Sequence, residues 1–114
     1  MAIHNRIDLI EFPAKSADEH ARTQKFFTNV FGWNYTEWGK TYSDTIDSGL
    51  SSGVNSDGGQ SMPLTVIYSN DLEATKEKVV QSGGKILLDI YTFPGGRRFH
   101  FIEPSGSELA VWSE

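Results

Sequence analysis

Twice along this chain a short apolar strand runs into a capped helix that ends at glycine and is followed by further strands, once in residues 7–48 and again from residue 63 to the end. A duplicated strand–helix–strands unit leaves few folds open, and it puts any site at equivalent places in the two copies. In the first copy residues 7–12 read as a strand, and Ser16 with Glu19 three residues on forms an N-terminal capping box. That helix closes at Gly32. In the second copy residues 64–68 read as a strand, Asn70 with Glu73 makes a weaker box, and the helix closes at Gly83-Gly84.

At 114 residues the chain is expected to fold as a single domain. Size scaling lets it bury roughly two-thirds of its unfolded surface. The absence of cysteine excludes a disulfide framework, a thiolate zinc site and a cysteine nucleophile, and it accords with a reducing compartment. The first six residues lack the basic start and apolar run of a secretory signal, and no apolar stretch approaches the ~20 residues that span a bilayer. We therefore expect a soluble, cytoplasmic protein with no membrane partner. A formal net charge of −5, with Arg97-Arg98 as the one adjacent basic pair, argues against nucleic-acid binding and mildly favours cationic ligands.

The first helix, about residues 17–31, carries Ala17, Ala21, Phe27, Val30 and Phe31 near one side, and the second, about 71–82, carries Leu72, Thr75 and Val79. Both are expected to lie on a sheet. His20 falls on the solvent side of the first. Residues 33–38 and 42–47 read as a hairpin about Gly39-Lys40, and the glycine- and serine-rich stretch 49–62 holds a poor fourth strand and a connector. Module 1 then covers about residues 5–54, the linker about 55–62, and module 2 about 63–114, with strands at 85–93, 97–102 and 108–112.

The run from Phe93 to Trp112 resembles the closing strands of the vicinal oxygen chelate (VOC) superfamily, which groups glyoxalase I, bleomycin- and fosfomycin-resistance proteins and extradiol dioxygenases. Residues 26–33 resemble its aromatic-rich first helix ending at glycine, residues 70–74 its second helix start, and Ser82-Gly83-Gly84-Lys85 the turn that follows. The resemblance implies an α+β fold of two βαβββ modules forming a U-shaped mixed sheet with helices on the outer face, within a homodimer. It also implies that metal-dependent members place His, Gln or Glu in the cleft from the first and last strands of each module.

Divalent metals need imidazole or carboxylate donors converging from several strands. By the resemblance, three of the four ligand positions fall on Leu9, Leu64 and Ala110, and these have no lone pair to donate. The fourth has no clear register, with Asp44 and Asp47 as candidates. We therefore expect neither a metal nor another cofactor. A shifted set of Glu11, Glu108 and His100 stays conceivable. A four-residue loop at 103–106 would pair Phe101 with Glu108 and Phe99 with Ala110, turning Phe99 and Phe101 into the cleft and His100 beneath a helix with Leu109 and Val111.

By the period of two, the expected cleft lining is Ile7, Leu9 and Glu11 with Leu64, Val66 and Tyr68, joined by Arg97, Phe99 and Phe101 and by Glu108, Ala110 and Trp112. That composition suits a small-molecule pocket. The first reading is a metal-free binding protein of the bleomycin-resistance type, stacking a partly aromatic compound with Glu11 or Glu108 meeting a cationic group. The second is a lyase, isomerase or dioxygenase-type enzyme with a non-standard metal set, or with Glu11 or Glu108 in metal-free acid–base catalysis. The third is a ligand-free structural or regulatory dimer, in which the same aromatics are core or interface.

Overall fold

The computed structural model describes residues 2–114. In chain order the elements are β1 (Arg6–Pro13), α1 (Ala17–Phe31), β2 (Thr36–Glu37), β3 (Tyr42–Thr45), β4 (Ser51–Asn55), β5 (Leu64–Tyr68), α2 (Leu72–Gln81), β6 (Lys85–Phe93), β7 (Gly96–Ile102) and β8 (Glu108–Ser113). This is β-α-β-β-β twice over, a mixed eight-stranded sheet with two helices. Each copy repeats one strand order, β2-β3-β4-β1 in the first and β5-β8-β7-β6 in the second. In each, the strand before the helix runs parallel to the last strand, and the hairpin strands complete the run antiparallel. Among the described residues no helix is long and apolar enough to cross a membrane.

The chain packs as two compact units, Leu9–Leu64 (the N-terminal unit) and Thr65–Glu114 with the described residues up to Asp8 (the C-terminal unit). The division falls inside β1 rather than in the connector. The start of that strand is bound within the C-terminal unit, where the Asn5 N–H donates to the Tyr68 carbonyl at 2.9 Å and the Trp112 indole N–H to Asp8 at 3.0 Å.

In the N-terminal unit, the Ser16 hydroxyl accepts the Glu19 N–H at 3.1 Å and starts α1, and Gly32 ends it in a left-handed conformation (φ 78°) that suits glycine. The helix seats itself differently from the apolar pattern. Ala17, Ala21, Val30 and Phe31 are exposed, His20 is buried, and Phe27 packs on Phe12 and Trp33. The His20 ring nitrogens bond the Ser43 hydroxyl at 2.7 Å and the Ser56 hydroxyl at 3.0 Å. Ser43, Thr45 and Ser52 are all buried here, so the strands present hydroxyls, and a two-ended hydrogen-bonding ring meets them better than hydrocarbon would.

The C-terminal unit is built on hydrocarbon. Leu72, Phe99, Phe101 and Val111 form its core, with Ile67, Val79, Ile86, Ile90 and Leu109 packed around them. Its helix is capped by Asp71, one residue later than the Asn70 box, with the carboxylate accepting the Ala74 N–H at 3.1 Å. A charged acceptor there also answers the positive end of the helix dipole.

The β7–β8 hairpin corrects the expected register by one residue. Its loop has three residues, Pro104, Ser105 and a left-handed Gly106 (φ 103°), because the Glu103 N–H donates to the Ser107 carbonyl at 3.0 Å and the Gly106 N–H to the Glu103 carbonyl at 2.9 Å. Ile102 therefore pairs with Glu108, Phe101 with Leu109, His100 with Ala110 and Phe99 with Val111. A one-residue slip turns every side chain over. Phe99 and Phe101, expected in the cleft, pack in the core with Leu72 of α2, and Arg97 joins that side through an ion pair with Glu73 of α2. His100, expected beneath the helix, faces the other way.

Two predictions follow from this packing. A Cβ at Gly96 would lie 2.0 Å from the Ser113 carbonyl oxygen, so Gly96→Ala should lower stability by about 1–3 kcal/mol in urea unfolding. The Glu103 carboxyl is held below its ordinary 4.5, first by the Ser105 hydroxyl and then by the Ser107 N–H. A depressed carboxyl contributes stability that is present above 4.5 and lost as pH falls through the lowered value. The unfolding midpoint of the native chain should drop more than that of Glu103→Gln between about pH 5 and about pH 3.

Candidate functional site

The face of the C-terminal unit turned away from α2 carries Arg98, His100, Glu108, Ala110 and Trp112, joined from β6 by Tyr91. His100 is fully buried, with Nδ1 2.9 Å from Glu108 Oε2 and Nε2 2.8 Å from the Tyr91 hydroxyl. Arg98 Nε donates to the Tyr91 oxygen at 2.6 Å and to His100 Nε2 at 3.2 Å. These partners assign the protons. Arginine can only donate, so His100 Nε2 is an acceptor, and the ring proton sits on Nδ1, where it is given to the Glu108 carboxylate. The Tyr91 oxygen accepts from Arg98 and gives its own proton to Nε2. An ordered chain Arg98–Tyr91–His100–Glu108 results, in which Tyr91, 36% exposed, and the partly exposed Glu108 are open to solvent.

Tyr91 pairs opposite Arg98 just beyond two irregularities of the β6–β7 ladder. The ladder shifts twice, between Ile86 and Leu88 and between Leu88 and Tyr91. Counting by two from Leu88, which lies opposite His100, Ile90 would be the next residue on that face. Ile90 packs into the core instead, and Tyr91 takes its place opposite Arg98. Asp89, within the second shift, accepts the Ile90 N–H at 2.7 Å and pairs with Lys76 of α2, which holds its carboxyl below the ordinary range. Such bulges re-aim side chains, and the one re-aimed here is Leu88, between the core residues Ile86 and Ile90.

Aromatics flank the chain. The Arg98 guanidinium lies 5.9 Å from the Tyr91 ring centre and 6.0 Å from that of Phe93. Trp112 meets Tyr68 edge-on at 5.0 Å and Phe93 at 6.3 Å. The Tyr68 hydroxyl donates to Glu114, and that bond, with desolvation and the charges of Glu114 and Asp8, raises its pKa above 10.0. Val66 and Ala110 are 1% and 0% exposed, so these two are packed rather than open lining.

In the N-terminal unit, Leu9 lies opposite Ser51 and Glu11 opposite Gly53, with Tyr42 and Asp44 on the same face. Glu11 is buried, with the Asn55 amide at 3.5 Å, and Leu64 is buried at the unit's end. On the α1 side of this unit a shallow pocket of 460 Å³ is lined by His20, Lys25, Tyr35 and Lys40 among others, and by none of the expected site residues.

Leu9, Leu64 and Ala110 supply no donor atoms, and both nitrogens of His100 are committed to hydrogen bonds, so these residues do not fit a metal-ligand set. Among the described residues no group of three or more His, Cys, Asp or Glu is arranged to hold a metal ion. Of the catalytic candidates, Glu108 stands at the polar chain and Glu11 in the other unit. The sequence reading missed Tyr91 and Arg98, and it turned His100 to the opposite face. The signal for His100 and Arg98 was present: Pro104 and Gly106 suit a type I turn closed by a left-handed glycine, which sets the three-residue loop.

No family model matches the chain. It is 26% identical over 107 residues to "Putative glyoxylase CFP32" of Mycobacterium bovis and of Mycobacterium tuberculosis, covering 82% of this chain and 41% of those proteins. The chain thus spans about two-fifths of the length of the curated relatives it matches. Among solved structures it resembles a glyoxalase/bleomycin resistance protein/dioxygenase superfamily member from Vibrio splendidus (TM-score 0.69, 16% identity, 96% of this chain and 99% of that one). It also resembles a Legionella pneumophila protein described as an NAD-dependent benzaldehyde dehydrogenase (TM-score 0.76, 15% identity, 92% and 96% covered). At these identities the structural likeness is one of fold, and that fold is the one the residues themselves resemble: the chain has the VOC fold of the glyoxalase/bleomycin resistance protein/dioxygenase superfamily.

Proposed function

We propose that this chain is a glyoxalase/bleomycin-resistance-like protein that binds a small, partly aromatic molecule without a divalent metal, at the face carrying Tyr91, His100, Glu108 and Trp112. The observation that carries the reading is the side-by-side placement of Trp112 and the ordered Arg98–Tyr91–His100–Glu108 chain, an aromatic surface next to polar groups of fixed donor and acceptor sense. Trp112 supplies the stacking surface. Asp8 and Glu114, hydrogen-bonded to Trp112 and Tyr68, favour a ligand with a cationic end. The same reading has the protein as a cytoplasmic homodimer.

A thermal-shift screen tests the binding. Aromatic amines should raise the melting temperature, by about 2.7 kcal/mol of added stability at a hundredfold excess over Kd. Trp112→Ala should abolish the shift, and an unchanged shift in that variant would move the site elsewhere. Metal analysis tests the other half: after dialysis against Ni²⁺, Zn²⁺, Mn²⁺ or Fe²⁺ the protein should retain no stoichiometric ion. Retained metal that disappears on Glu108→Ala would replace this reading with a metal-dependent one.

A further inference from the structure

The ordered hydrogen bonds around His100 do more than present polar groups. Each link has one donor and one acceptor, and the links run in sequence from an exposed phenol to a carboxylate. We propose that Tyr91 is a proton-transfer residue. Its hydroxyl hands its proton to His100 Nε2 while its oxygen takes a proton from a bound small molecule. This deepens the proposed binding site and rests on it.

The balance of the step is complete within the side chains present. The substrate's X–H bond breaks and its proton goes to the Tyr91 oxygen. The Tyr91 O–H breaks and that proton goes to Nε2, leaving the tyrosine neutral and His100 as imidazolium. Glu108, 2.9 Å from Nδ1, is the counter-charge to that cation. Arg98 Nε, 2.6 Å from the Tyr91 oxygen, stabilises negative charge there during the transfer. His100 is fully buried and cannot touch a substrate, so it acts through Tyr91 as a positioning base. The substrate class is a weak acid whose anion forms beside the Arg98 guanidinium. Tyr91 is held opposite Arg98 by unbroken pairing from the turn, through Thr92 with Arg97 and Phe93 with Gly96.

An arylsulfonyl fluoride tests the proposal without knowledge of the substrate. Labelling forms an O–S bond at a tyrosine, releases fluoride and sends the phenol proton to the adjacent base. Of the 4 tyrosines, Tyr91 should be labelled first, as read by peptide mass spectrometry. His100→Gln should slow labelling at Tyr91 by about a hundredfold while leaving Tyr42 unchanged. Glu108→Gln, which keeps an acceptor for Nδ1–H but removes the charge, should slow it less. Labelling of Tyr91 at the rate of Tyr42, or insensitivity to His100→Gln, would overturn the proposal. Should His100→Gln not fold, nitrogen NMR of the native imidazole decides: a protonated Nδ1 with an unprotonated Nε2 is required, and the opposite tautomer refutes it. The aromatic-amine thermal shift is read on the same native protein: no shift with Tyr91 still labelled first overturns the binding site alone, and a shift with Tyr91 labelled no faster than Tyr42 overturns the relay alone.

Discussion

The β7–β8 register governs both what the C-terminal unit buries and what it offers. Three loop residues, with Gly106 left-handed and the Glu103 carboxylate gathering the Ser105 hydroxyl and the Ser107 N–H, fix Ile102 against Glu108. From that one alignment Phe99, Phe101 and Val111 become core, and Arg98, His100 and Glu108 become a connected polar chain. The alternative with four loop residues would bury an imidazole among leucine and valine without a partner, at a cost of a few kcal/mol. The same slip would take Phe99 and Phe101 away from Leu72.

The two copies share a strand order but seat their helices by different forces. Around α2 the contact is hydrocarbon, and its stability comes from removing Leu72, Phe99 and Val111 from water. Around α1 it is directional, with His20 bridging Ser43 and Ser56, while Phe26, Val30 and Phe31 remain exposed. Duplication therefore conserved topology and not the means of holding it. The polar side chains divide in the same way. The relay belongs to the C-terminal copy, and its N-terminal counterpart pairs the buried Glu11 with an Asn55 contact.

Much of the fold was legible in the sequence because strand and helix periods, the Ser16 cap and the glycine stops are local signals. The bounds of α1 and β6 coincide with the expected ones, and the weak strand at Ser51–Asn55 is present. What escaped was non-local. The burial of His20 depends on hydroxyls 23 and 36 residues away. The facing of His100 turned on one residue of loop length, and the place of Tyr91 opposite Arg98 rests on a β6–β7 register that two irregularities offset by two residues. The strand positions the repeat singles out, Leu9 and Leu64, hold aliphatic side chains with no donor atoms in both copies alike.

The paired shifts in β6 also bear on how this chain can change in length. Because two one-residue offsets lie between Ile86 and Tyr91, they cancel in parity, and the two ends of the strand keep the facing of a regular one. Tyr91, Thr92 and Phe93 pair with Arg98, Arg97 and Gly96 without a break, so the phenol travels with the turn at Pro94 and not with Ile86. A variant that lost one residue ahead of Tyr91 could absorb the loss by dropping one offset, with Ile86 still in the core and the phenol still opposite Arg98. The irregular stretch is thus a reserve of length that shields the polar face from small changes in the strand beside it.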